Sequence, residues 1–174
     1  MPLGILNSNA LIAVPKEGGQ VKDTITAENV MDMWDRRWGA NGQNYIWTIA
    51  QNCGKQLRKM SIPVGTGGEL VYMPPGGLSG AQYGNIEGRP VIPTEYNPTL
   101  GDVGDILLFD PTQYQMIDKG GIQSAASIHV RFLYDESVFR FIYRIDGQPL
   151  WHTAVTPKND GDTQSPYVAI AERA

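Results

Sequence analysis

One cysteine, Cys53, stands in a chain of 174 residues. That excludes a disulfide framework and any cysteine-rich zinc centre. Charge is scarce too. Charged residues make up 18% of the chain, and 14 basic side chains face 18 acidic ones, for a net charge of −4 and a pI near 5.1. Without a basic surplus to release counterions from a phosphate backbone, a histone-like or repressor-like role is disfavoured. No apolar run approaches the ~18–20 residues of a membrane span, so no membrane partner is expected. The opening stretch lacks the basic n-region of a secretory signal and reads like mid-domain strand sequence placed straight after Met1.

What is present fits a folded protein. Apolar residues form 41% of the chain, with eight Tyr and four Trp. A chain of this length buries roughly 70% of its unfolded surface and needs neither a metal nor a disulfide to hold a core. Gly (20) and Pro (12) are abundant, and both lower helix content, so more strand and loop than helix is expected. Residues 61–121 hold 12 of the Gly and seven of the Pro.

The periodicities predict few helices. Thr26 is the expected N-cap of one helix, with Glu28 and Asp32 in its early turns and Val30, Trp34 and Trp38 recurring every four residues. Gly39 and Asn41-Gly42 stop it. A short helix over 54–60 is expected behind an Asn52 cap. Strands are expected at 11–14, 44–50, 69–73, 89–93, 105–109 and 167–171. Residues 128–134 and 139–145 alternate apolar and polar side chains, which predicts two amphipathic strands, each with one face buried. Asp146-Gly147 between apolar runs is a hairpin signal.

Constellations for chemistry are weak. Cys53 near a helix N-terminus could be a nucleophile, but it needs a positioned histidine, and His129 and His152 both fall in strand patterns. The plainer reading is a small buried thiol. No G-x-S-x-G elbow is present, and Gly65 to Gly68 lacks the Lys-Ser/Thr of a phosphate loop. Residues 159–162 lack the closing Glu of an EF-hand loop and read as a solvated turn. Asp135 and Glu136 would face opposite ways on a strand and make no acid/base dyad. No catalytic, metal or cofactor residue is expected. What remains is Arg131, Arg140 and Arg144 on the face opposite the aromatics, either a contact surface or a solvated sheet face.

Several segments point further. Glu87-Gly88-Arg89-Pro90-Val91-Ile92-Pro93-Thr94-Glu95 resembles the G-x-P-V-x-x-(S/T)-E segment of tailed-phage major capsid proteins of the HK97 fold. Gly104 to Asp110 resembles that family's G-D-(I/L)-x-x-G-D strand. Tyr114, Ile117 and Asp118 resemble its Y-x-I-x-D continuation, and Phe139-Arg140 with Tyr143-Arg144-Ile145-Asp146-Gly147 is similar to its F-x-x-x-x-R-x-D-G strand. Pro2 to Asn7 resembles the segment that follows the family's long spine helix. The order and spacing of these pieces span nearly the whole chain.

The resemblance implies an α+β, HK97-like capsid fold fragment. Residues 1–14 would lead into the peripheral domain, 15–110 would be the axial domain, 111–158 the peripheral-domain strands, and 159–174 a loop and a strand returning to the axial sheet. The Gly/Pro-rich loops with Gly65, Gly67, Pro74 and Pro75 would lie near a symmetry axis or a subunit edge. Together with Arg131, Arg140, Arg144 and Trp151 they are the expected subunit contacts. The same reading makes 141–155 one long strand with Asp146-Gly147 as a bulge, against the hairpin. The family's upstream arm, extended loop and spine helix have no counterpart here, so the chain reads as a fragment of a longer protein. No covalent cross-link is expected, because the loop that carries the lysine is missing and the asparagine's stretch reads Arg140-Phe141-Ile142.

The implied function is a non-enzymatic shell subunit of a phage or prophage. It would form pentameric and hexameric homo-oligomers, enclose double-stranded DNA as non-specific cargo, and meet a scaffold or maturation protease. It would reside in the virion, and in the host cytoplasm before assembly. The alternatives are an encapsulin-like nanocompartment shell, a cysteine hydrolase using Cys53, and a β-rich carbohydrate-binding module.

Overall fold

The computed structural model describes residues 1–39, 44–64, 67–70 and 84–173, with 61–64 and 67–70 given by backbone alone. Its centre is a six-stranded mixed sheet in the order β1-β12-β7-β2-β6-β5. The strands are β1 (Ile12–Val14), β2 (Ile46–Ala50), β5 (Asn85–Ile86), β6 (Arg89–Thr94), β7 (Ile106–Phe109) and β12 (Tyr167–Ile170). β1 and β12 run parallel, as do β2 and β6, while β7 is antiparallel to both of its neighbours. The carboxyl-terminal strand therefore sits inside the sheet, between β1 and β7. The segment read as leading into the peripheral domain ends in this sheet too, because Ile12 pairs with Val168 and Val14 with Ile170.

The sequence explains which face is covered. Ile12, Val14, Trp47, Ile49, Val91, Ile106, Leu108, Val168 and Ile170 alternate onto one side of the sheet and form its core. Against them pack Ala27, Val30 and Met33 of helix α1 (Ala27–Asp35), and Leu57 of α2 (Gly54–Lys59). Trp47, the largest buried side chain, donates its indole N–H to the Ile86 carbonyl at 3.0 Å and stacks on Trp34 at 6.3 Å between ring centroids. That satisfies the one polar group of a buried Trp.

Helix α1 begins at the expected cap. The Thr26 hydroxyl accepts from the Asn29 N–H, and the Asn29 side-chain oxygen accepts from the Thr26 N–H, a reciprocal capping box. The helix stops at Asp35, one turn before the expected end, so Trp38 lies beyond it, followed by Gly39 at φ +82°. The stop at Asn41-Gly42 falls outside the described residues. α2 also differs from expectation. Gln51–Cys53 forms a 3-10 turn and Cys53 stands at the cap position, so Asn52 does not cap. Strands β3 (Ser61–Val64) and β4 (Gly67–Leu70) form a separate two-stranded pair. The strand expected at 69–73 is thus seen as Gly67–Leu70, and its last residues fall outside the described set.

From residue 114 the chain leaves the sheet as an antiparallel ribbon. β8 (Tyr114–Asp118) pairs with β11 (Ile145–Pro149), and further out β9 (Gln123–Arg131) pairs with β10 (Glu136–Ile142). Asp146 and Gly147 lie within β11, opposite Ile117 and Met116, so the pair makes no hairpin. The single long strand is not seen either, because β10 and β11 are separated by Tyr143-Arg144. The reversal occurs at the 3-10 turn Phe132–Tyr134, closed by Asp135 at φ +53°.

Candidate functional site

Among the described residues, the ribbon carries the largest collection of uncovered apolar side chains. Ile128, Val130, Phe132, Leu133, Tyr134, Phe139 and Phe141 are each more than half exposed, Leu133 at 92%. The expectation that these strands each bury one face is corrected here. The alternation is present, with Phe139 opposite Ala126 and Phe141 opposite Ser124 on one side, but no layer of the described residues covers that side. A two-stranded ribbon has no second sheet or helix to bury its apolar face, and is marginal alone in water. The strand expected through Tyr134 ends at Arg131, where the reversing turn begins.

The arginines sit as follows. Arg131 pairs with Glu136 at 2.9 Å in an exposed bridge beside the tip. Arg140 lies on β10 and points to the side opposite Phe139 and Phe141, while Arg144 falls in the break between β10 and β11. Both are exposed and neither forms an ion pair among the described residues. Trp151 is half-buried. Its indole donates to the Gln113 side-chain oxygen at 2.9 Å, and its ring meets Trp38 at 5.1 Å, so much of its surface is committed within the chain. Gly67 opens β4 opposite Val64. Gly65, Pro74 and Pro75 lie outside the described residues.

The base of the ribbon is fastened by contacts that pattern reading did not reveal. Tyr114 lies over Gly147, and a Cβ there would meet its ring at 2.8 Å, a close approach that requires glycine. The Tyr114 hydroxyl donates to the Leu3 carbonyl at 2.9 Å, and the Leu3 N–H donates to the Gly147 carbonyl at 2.8 Å. The amino-terminal segment thereby extends the β11 edge. Tyr167 ties the ribbon to the sheet by donating its hydroxyl to the Gln113 carbonyl.

Among the described residues, Cys53 and the 159–162 turn are the other candidates raised by the sequence. Cys53 is fully buried, and burial, reinforced by the Asp105 carboxylate, pushes its thiol up to about 12. A thiol held protonated is no nucleophile. Its polar neighbours are Asn52 and Asp105, with no histidine, while His129 and His152 are exposed elsewhere. The cysteine-hydrolase alternative is without support. Asp160 and Gly161 form the expected turn, both at positive φ. Among the described residues no three metal-ligating side chains converge, and no helix is long and apolar enough to cross a membrane.

Comparison with known proteins agrees with the geometry. No curated protein matches the chain. Among solved structures it is similar to a chain titled "Capsid of empty GTA particle computed with C5 symmetry", at 14% identity and a TM-score of 0.63. The match covers 98% of this chain and 56% of that one, so the chain spans little more than half of that capsid subunit. The likeness shows an α+β, HK97-like capsid fold. The family match ends at residue 159, before β12. The profile of the phage capsid family matches residues 1–159, and the chain therefore belongs to that family of capsid proteins.

Proposed function

We propose that the chain is a structural, non-enzymatic subunit of a phage or prophage icosahedral shell, self-associating around five- and six-fold axes to enclose double-stranded DNA. The observation that carries this reading is the ribbon. Ile128, Phe139, Phe141 and the Phe132–Tyr134 tip expose apolar side chains on an element that no layer of the described residues covers. Patches of that kind mark protein–protein contacts on soluble proteins. Arg131, Arg140, Arg144 and Trp151, with the loops holding Gly65, Gly67, Pro74 and Pro75, are the proposed subunit contacts. Arginine forks pairing with carboxylates of a neighbour would set register.

In this proposal, residues 15–110 and 159–174 form the axial domain and 111–158 the peripheral one, with the fastened amino-terminal segment leading into the latter. A net charge of −4 suits a wall that holds DNA without gripping it, because like charge lowers adhesion. A scaffold or maturation protease would act on the assembling shell in the host cytoplasm. Light scattering over a concentration series, followed by negative-stain microscopy, tests the reading. Rings or shells are the expected result. A chain that stays monomeric at every concentration counts against contacts within residues 1–174 being sufficient.

A further inference from the structure

We infer that the basic face of α2 docks on the acidic flank of α1 in a neighbouring copy of this chain, a head-to-tail contact that repeats around a ring. This rests on the shell-subunit reading and specifies one contact between axial domains.

Helical spacing builds both surfaces. On α2, Lys55, Arg58 and Lys59 stand at i, i+3 and i+4 and share one exposed face, while Leu57 turns into the core. On α1, Glu28, Asp32 and Asp35 recur at i, i+4 and i+7 along the exposed side, opposite buried Asn29, Val30 and Met33. Glu17, in the segment after β1, adds a fourth carboxyl by hydrogen bonding to Asp32. That bond first, then lost hydration and the charges of Asp32 and Glu28, hold the Glu17 carboxyl above the ordinary carboxylate range. Crowded carboxyls raise one another in this way where cations are too few.

Neither surface is neutralised within the chain. None of these side chains forms an ion pair among the described residues. Arg36 and Arg37 follow Asp35 but turn elsewhere. Arg36 donates to the Thr163 carbonyl at 2.7 Å, and Arg37 lies over the Trp34 ring at 3.9 Å. Even with Lys16, which adjoins Glu17 in the chain, four carboxyls stand against one ammonium. Beside α2, Gln56 donates to the Asp23 carbonyl at 3.5 Å, but the Asp23 carboxylate lies against Gly101.

The placement suits a neighbour rather than a contact within one chain. α1 packs on β12 and β1, at one end of the sheet. α2 leads to Met60, which shares a small cleft with Ile86 of β5, at the other end. Ala27 and Met31 line the same cleft, so α1 turns its apolar side toward α2. The sheet beneath is roughly 24 Å wide at its strand spacing. A second copy set alongside brings opposite charges together and leaves one surface of each sign open at the ends. Such a contact propagates and closes by rotation.

Charge also selects the occupant. A nucleic acid would meet three cationic side chains on a chain of net charge −4, and would leave the acidic flank unexplained. A second copy accounts for both surfaces at once. Exposed pairs contribute little singly, so the contact is expected to be weak and salt-sensitive, and to gain from repetition around a ring.

The test is a charge swap read by sedimentation equilibrium of the 174-residue chain at low ionic strength, with circular dichroism confirming that each variant is folded. Lys55→Glu with Arg58→Glu, and separately Asp32→Lys with Asp35→Lys, are each expected to weaken self-association at least about tenfold. Mixing the two variants is expected to restore it to within about threefold of wild type, since each supplies the surface the other has lost. Lys119→Glu with Lys158→Glu, the same change of net charge away from both surfaces, is expected to leave it within about twofold. In mixtures of isotope-light and isotope-heavy wild-type chains, a carbodiimide is expected to join Lys55 or Lys59 to Glu28, Asp32 or Asp35 across labels.

Association that ignores either reversal overturns the inference, and so does a mixture as weak as its parts. A wild-type chain that neither associates nor cross-links across labels overturns it too. Duplex DNA that binds the wild-type chain and is lost with Lys55→Glu and Arg58→Glu, while self-association holds, would assign α2 to nucleic acid instead. Rings or shells that survive both reversals would leave the subunit reading standing and remove this contact. A wild-type chain that stops at a closed dimer, with the swap behaviour intact, would support the contact and count against the shell.

Discussion

Arg173 and Asp105, 68 residues apart, form an ion pair with both side chains fully buried. The carboxylate also accepts from the Gly101 N–H at 3.0 Å and the Ile106 N–H at 2.8 Å. Arg173 in turn donates its backbone N–H to the Gly101 carbonyl. The pair holds the end of the chain against the loop that precedes β7, and so keeps β12 seated between β1 and β7. Breaking a buried pair from one side strands the other charge without water. Arg173→Met is therefore expected to destabilise the fold by about 3–5 kcal/mol. Asp105→Asn combined with Arg173→Met is expected to recover part of that loss. Urea denaturation of both variants checks this.

Cys53 gives the chain an alkaline liability. Its thiol stays protonated in the folded state until about pH 12, against an ordinary value of 9.0. Between those values the unfolded chain releases a proton that the folded chain keeps, so stability is full below pH 9 and falls as pH rises. The slope approaches ~1.4 kcal/mol per pH unit for this one group. Tyr45, whose hydroxyl is also raised by burial, adds to the loss at higher pH. Cys53→Ala is expected to flatten the first part of the decline. Denaturant titrations from pH 8 to 11 measure it, and iodoacetamide should label Cys53 only where the protein unfolds.

Gly147 is expected to resist any side chain. A Cβ would approach the Tyr114 ring at 2.8 Å and the Gln115 carbonyl oxygen at 3.2 Å. Overpacking of this kind costs about 1–3 kcal/mol. Gly147→Ala should lower the thermal midpoint and loosen Leu3 from β11. Adding Tyr114→Ala relieves the clash with the ring and should restore part of the loss.

The Thr26 cap has a simple prediction. Thr26→Ala removes the acceptor for the Asn29 N–H and is expected to cost about 1 kcal/mol, readable by urea denaturation. Thr26→Ser should be nearly neutral.

Amide exchange should divide the molecule in two. β12, and β2 from Trp47 to Ala50, have their apolar side chains buried and are expected to exchange only through global opening. β9 and β10 carry mostly exposed side chains and are expected to exchange much faster in the isolated chain. Assembly should slow β9 and β10 specifically. Equal protection in both states would mean that the ribbon is not part of a contact.

The sequence by itself determined the local chemistry. Thr26 announced a helix start because a side-chain acceptor at that position is a local device. Val91, Ile106, Leu108 and Val168 announced buried strands because removing short apolar runs from water is favourable. The ordered segments from Glu87 to Gly147 pointed to the family that the comparisons then showed. Tertiary structure alone decided what touches what. Alternation marked Phe139 and Phe141 as one face, but burial depends on a covering layer, which no pattern within the strand can supply. Asp146-Gly147 fits a hairpin or a strand equally well by local preference, and pairing with Ile117 and Met116 settled it. Arg173 reads as an ordinary charged terminus until β12 slides between β1 and β7 and brings it to Asp105. Such contacts join residues far apart in the chain, and their strength comes from exclusion of water, which exists only once the core has closed.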